Sequence, residues 1–184
     1  MQLTLSSELV RNAVMTNESG QVLYKTSHPF KLKRMGTTTI QKIRPNTDPM
    51  DMHDEFGVMG EIEWRLFGSS TFRINGREMQ SNDFLPRHGI TGRKRTFTGP
   101  DGRPYRWDML FNVVVLSRDE ESRTEVARYH RGSLGIIGPK KKPCLDVHPD
   151  VMHMLDLIVL TFVYVEKLRK NKERAARSNG GGGL

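Results

Sequence analysis

From Val151 to about Ala176 the chain runs without glycine or proline, with apolar residues at 151, 152, 154, 155, 157–160, 162–165 and 168. At about 100° per residue these positions point in every direction around a helix. A helix without a polar face has to be enclosed by protein or by lipid. Its most apolar stretch, residues 157–165, is interrupted on the N-terminal side by Asp156 and His153 and falls short of the ~20 residues that span a bilayer. Pro149 and Asp150 suit a first helical turn, so the spacing predicts a core helix over about 150–170. The β-branched and aromatic content of 157–165 would also suit a buried strand, but the helix-forming run over 166–177 argues against that. The chain holds no other convincing long helix. The enclosure must therefore be β-sheet, and a sheet that surrounds a helix is a closed barrel.

The preceding residues supply strands. Val22-Leu23-Tyr24 follows the turn cluster over 17–20, and Thr37-Thr38-Thr39-Ile40 with Lys42 and Ile43 alternates polar and apolar around β-branched residues. Ile62, Trp64 and Leu66 share one strand face by their two-residue period. Asn75-Gly76 between 71–74 and 77–79 is the strongest short hairpin signal, because both central residues of that turn need positive φ. Residues 95–98 and 105–107 flank the turn Gly99-Pro100-Asp101-Gly102-Arg103-Pro104. Residues 112–116, 125–130, 134–137 and 145–147 complete the pattern. We expect a mostly β fold: a closed antiparallel barrel of about 10–12 strands around the C-terminal helix. It forms a single domain over 1–170, followed by a basic helix end and a flexible glycine-rich tail over 171–184.

Composition narrows the setting. The lone Cys144 excludes a disulfide framework and fits a reducing compartment. The first ten residues lack the basic and apolar regions of a secretory signal. The expectation is an intracellular, cytoplasmic protein, peripheral to membranes if it meets them at all. A net charge of +8 favours anionic partners.

About half of the cations fall in four clusters: Lys31, Lys33 and Arg34; Arg93, Lys94 and Arg95; Lys140, Lys141 and Lys142; and the tail from Lys167 to Arg177. Gathered at one end of a barrel, the first three would attract an anionic membrane surface. Scattered, they would only solvate loops. Nucleic acid is disfavoured, because no strand interleaves aromatics with cations and no zinc-finger spacing occurs. No cofactor or metal motif is present. His148 and His153 miss the i, i+4 spacing of a helical metal site, and His53-Asp54-Glu55 is a polar string on a loop. Asp156, inside the apolar segment, reads as a hydrogen-bonded structural anchor. Trp64, Trp107, Phe162 and Tyr164 read as core packing, and Cys144 as a small core residue.

Met154-Leu155-Asp156-Leu157-Ile158-Val159-Leu160-Thr161-Phe162-Val163-Tyr164-Val165-Glu166 resembles the core helix of the plant LURP-one-related proteins, where an acidic residue stands on each side of a Leu/Val run. With many strands before it, the chain resembles the tubby C-terminal superfamily, which also includes phospholipid scramblases. Over 1–170 it is more similar still to an uncharacterised family of small basidiomycete proteins, on residues 97–105, 126–130 and 162–167. The superfamily resemblance implies a helix-filled barrel and, by analogy with tubby proteins, a cationic patch for phosphoinositide head groups. The absence of a cysteine cluster weakens a scramblase reading. A helix-filled lumen leaves little room for a carrier pocket.

The resulting expectation is a non-enzymatic module that recognises anionic membrane lipid through basic loops. The alternatives are a protein-interaction scaffold, or an enzyme using an unrecognised surface cleft with His130, Asp83 or Glu63 as acid or base. No spacing in the sequence singles those three out.

Overall fold

A computed structural model describes residues 1–29, 36–45, 54–133 and 141–180. The predicted strand at 134–137 lies outside them. Thirteen strands form one antiparallel sheet. They are β1 (Gln2–Leu5), β2 (Ala13–Thr16), β3 (Val22–Ser27), β4 (Thr37–Ile43), β5 (Phe56–Glu63), β6 (Thr71–Ile74) and β7 (Arg77–Gln80), then β8 (Arg87–His88), β9 (Lys94–Thr98), β10 (Pro104–Met109), β11 (Val114–Arg118), β12 (Glu125–His130) and β13 (Cys144–Val147). One turn of helix, α1 (Ser81–Phe84), joins β7 to β8. After β13 comes a 3-10 segment, Pro149–Met154, and then the long helix α2 (Leu155–Gly180).

The strand order is β7-β6-β5-β4-β3-β2-β1-β13-β12-β11-β10-β9-β8. Every neighbour is a sequence neighbour except β1 and β13, so two meanders are joined by pairing the first strand with the last, Leu3 opposite Leu145. The order would close into a ring if β7 paired with β8. That ladder does not form among the described residues, so the sheet is not closed by hydrogen bonds as a barrel would be. The gap is covered by α1, whose Phe84 packs against Phe72 of β6 on one side and Phe97 of β9 on the other, at centroid distances of 5.5 and 6.3 Å. Leu85, next in the chain, is fully buried.

The helix is enclosed as its pattern requires. Residues 158–166 are buried without interruption. Phe162 and Tyr164 point about 200° apart on the helix, and they touch different parts of the sheet. Phe162 meets Trp107 of β10 and Tyr129 of β12, while Tyr164 stacks on Trp64 at 5.4 Å and meets Phe72 edge-on at 4.9 Å. The Trp107 indole N–H donates to the Thr161 hydroxyl at 3.0 Å, and that hydroxyl donates to the Leu157 carbonyl one turn back. The Asn75-Gly76 hairpin turn has φ of 51° and 72°, as its sequence demanded. No helix among the described residues is long and apolar enough to cross a membrane.

Three sequence expectations need correction. Leu66 does not share the inward face of Ile62 and Trp64, because β5 ends at Glu63 and Leu66 sits 59% exposed in the following loop. Asp156 is only half-buried, although it is anchored as expected: it accepts from the Tyr24 hydroxyl at 2.6 Å and pairs with Lys42 at 2.9 Å. Cys144 faces outward, since Leu145 and Val147 take the inward positions of β13. The strongly buried charges lie instead at Glu166 and Arg169, both fully buried. The Arg169 fork donates twice to Glu166, at 2.6 and 2.7 Å, and reaches Glu173 as well. Burial pushes the Glu166 carboxyl up against the opposing pull of Arg169.

Two stability outcomes follow from this packing. Phe162→Ala should lower the unfolding free energy by about 3–5 kcal/mol in urea titration, because the surrounding rings cannot collapse into the space. Glu166→Ala should cost about 3 kcal/mol by leaving buried Arg169 with Glu173 as its remaining carboxylate partner, and adding Arg169→Met should restore part of the loss.

Candidate anion site at the mouth of the sheet

Alternation along an antiparallel ladder puts the β1–β2, β5–β6, β8–β9, β10–β11 and β12–β13 connections at one end. The helix emerges there, and side-chain ties mark that mouth. The backbone carbonyl of Glu8 accepts from Lys170, the Asn112 amide donates to Glu173 at 3.2 Å, and the Thr91 carbonyl accepts from Lys172 at 2.8 Å. The opposite end carries acidic turns, with Glu18, Asp101, Asp119, Glu120 and Glu121 in the β2–β3, β9–β10 and β11–β12 connections. Much of the positive charge sits at the mouth, on Arg93, Arg131, Lys141, Lys142 and the helix cations.

A cavity of about 230 Å³ opens at the mouth between the β1–β2 loop and α2, lined by Arg11, His28, Lys167, Lys170 and Arg174, with Glu8 as its carboxylate. Arg131 holds Glu8 at 3.0 Å and Lys170 lies 3.8 Å away. Burial pushes Glu8 up, but these cations outweigh it and hold the carboxyl below its usual range. Arg11 has no carboxylate within ion-pair distance among the described residues. Its guanidinium lies 5.6 Å over the Trp64 ring and donates to His28 Nε2 at 2.9 Å. Burial and the nearby Arg174 pull its pKa down, the signature of a cation that gains from an anion.

The local hydrogen bonds fix the histidine. Arginine can only donate, so Nε2 of His28 is the acceptor and its proton sits on Nδ1. That N–H donates to the Thr38 hydroxyl at 3.0 Å, and the same oxygen accepts from the Trp64 indole at 2.7 Å. Burial, then Arg11, pull the His28 pKa below its ordinary value, so the ring is neutral at pH 7. The site can therefore accept an anion between Arg11 and the helix cations, and the anion would favour protonation of His28.

The predicted cations divide. Lys31, Lys33, Arg34 and Lys140 lie outside the described residues. Arg93 stands at the mouth, donating to the Met109 carbonyl at 3.3 Å, and Lys141 and Lys142 are exposed in the β12–β13 connection. Lys94 is exposed on the side wall. Arg95 must be withdrawn as a surface ligand. It is 8% exposed, points inward beneath the seam and donates to the Leu85 carbonyl at 2.9 Å, with its guanidinium 6.0 Å over the Tyr164 ring. Its neighbours Lys94 and Thr96 take the outward positions of β9. Arg11 and His28 escaped the sequence reading because each stands alone there, and only the fold brings them to the helix tail.

The three acid–base candidates stand apart. His130 pairs with Asp146 at 2.9 Å on the outer wall, Glu63 is taken by Arg73 at 2.7 Å, and Asp83 is exposed on α1. No group of three His, Cys, Asp or Glu side chains among the described residues could hold a metal. Burial, then Asp146, push the Cys144 thiol up, which makes it a poor nucleophile.

His28 gives a check on this electrostatics. Its NMR titration midpoint should lie below about 6.5 and rise on addition of inorganic phosphate. Because its folded-state pKa is lowered, its contribution to stability is complete above about pH 6.5 and is lost as pH falls from there toward the lowered value. In His28→Asn that part of the pH dependence should vanish.

No curated protein and no solved structure matches this chain. The sequence model of a family described as a family of unknown function, DUF6593, matches residues 8–171, which takes in twelve of the thirteen strands, the apolar part of α2 and most of the cationic cavity, so the chain belongs to that family.

Proposed function

We propose that this chain is a non-enzymatic module that binds anionic lipid head groups at the mouth of its sheet, working inside the cell as a peripheral membrane protein. The observation that carries the reading is Arg11: half-buried, without a carboxylate partner among the described residues, and set in one cavity with Lys167, Lys170 and Arg174. A desolvated guanidinium beside further cations favours an anionic ligand. The exposed Lys141 and Lys142, at the same end, add long-range attraction, while the acidic far end turns the molecule mouth-first toward a negative surface.

A helix threaded through a curled antiparallel sheet supports kinship with the tubby C-terminal superfamily, including the LURP-one-related proteins. That kinship is an analogy of fold, and the ligand is argued from the site alone.

Vesicle sedimentation tests the reading. The protein should pellet with phosphatidylcholine vesicles containing phosphoinositide or phosphatidylserine, remain in solution with phosphatidylcholine alone, and release as salt is raised. At about 1 kcal/mol per cation, Arg11→Gln and Arg174→Gln should each weaken binding roughly fivefold. Equal, negligible pelleting with both vesicle types would end the proposal.

A further inference from the structure

Eight large apolar side chains are exposed among the described residues, and five of them lie in three loops at the mouth: Leu66 and Phe67 in β5–β6, Ile90 in β8–β9, Leu110 and Phe111 in β10–β11. Phe67 is 90% exposed, Phe111 75%, and Ile90 fully so. The strand order makes these loops consecutive around the rim, on either side of the seam between β7 and β8. Exposed apolar residues are ordinary when scattered, and informative when gathered.

Two of the loops hold their tips out by specific ties. Asn112, at φ 62°, anchors the Phe111 turn by its amide to Glu173, while its side-chain oxygen accepts from Arg131 at 2.8 Å. The Ile90 turn is bracketed by Gly89 and Gly92, at φ 73° and 57°, and is held by Lys172 on the Thr91 carbonyl. Cations flank the arc: Arg65, Arg87, Arg93 and Lys172. Of the nearby acids, Glu63 and Glu173 are already paired with arginines, which leaves Asp83 exposed.

We infer that this arc inserts into the bilayer, with Phe67, Ile90 and Phe111 entering the acyl boundary while the flanking cations meet anionic head groups. The inference rests on the lipid-surface reading above and adds a penetration depth and an orientation to it. Apolar tips ringed by cations match an anionic interface in both hydrophobicity and charge. Because α2 continues past the loops to Gly180, the tips reach the acyl boundary only with the molecular axis tilted toward the seam, leaving Arg174 and Arg177 at head-group level.

The test uses the full chain carrying Cys144→Ser and one environment-sensitive nitrobenzoxadiazole label, placed through Phe67→Cys, Ile90→Cys or Phe111→Cys, with Val58→Cys on the outer wall as control. Mixed phosphatidylcholine–phosphatidylserine vesicles should shift the first three emissions to the blue and expose them to lipid-borne quenchers, leaving Val58→Cys unchanged. The unlabelled double variant Phe67→Ser/Phe111→Ser should partition at least about tenfold more weakly, with its melting temperature unchanged because both rings already face water. Pelleting without any blue shift would overturn insertion and leave surface binding standing. Absence of pelleting would overturn both. A blue shift that arises without vesicles, together with self-association lost in the double serine variant, would overturn insertion in favour of a protein interface.

Discussion

The structure turns on a helix that has no side fit for water. Nine consecutive residues of α2, 158–166, are buried, and only a surface that comes round the helix from every direction can bury nine in succession. Short strands do this because most of them offer inward side chains at their two-residue period, such as Tyr105, Trp107 and Met109 of β10. Those side chains and the helix form a single apolar cluster. The lumen is thus occupied by the protein's own chain, and the cavity beside Arg11 lies at the rim.

Where the helix leaves the lumen its character changes within one turn. Val165 is the last of the apolar run, and Glu166, Arg169 and Glu173 then form a buried, hydrogen-bonded ion cluster. Burying such a pair costs desolvation energy that its own attraction barely offsets. Its position gives it a geometric role: it bridges the apolar lumen and the basic tail, and through Glu173 and Asn112 it fixes the β10–β11 loop. Mouth geometry is therefore coupled to core packing. The cavity beside Arg11 and the Ile90 and Phe111 loop tips are held by the helix rather than left to loop conformation.

The surface charge follows the same axis. Turns at the far end are acidic and the mouth is basic, so a net charge of +8 becomes a directional field. Composition could announce the excess but not its distribution. The basic triplet Arg93, Lys94 and Arg95 shows why: consecutive residues on a strand face alternately out and in, so one run of cations divides between wall and seam, and Arg95 ends over the Tyr164 ring.

The core helix, the need for a sheet around it, the Asn75-Gly76 hairpin and most of the strands can be read from the residues alone, because periodicity and turn chemistry are local properties. The short strands β1 and β2 were not legible, since four residues each carry little periodic signal and β1 is stabilised by pairing with β13, some 140 residues away. Tertiary structure alone decided the seam covered by α1, the burial of Glu166 and Arg169 in what reads as a charged tail, and the meeting of Arg11 and His28 with the helix cations. Each depends on which segments become neighbours. That is set by summing weak apolar and hydrogen-bonding terms over the whole chain, and no short stretch of sequence records the sum.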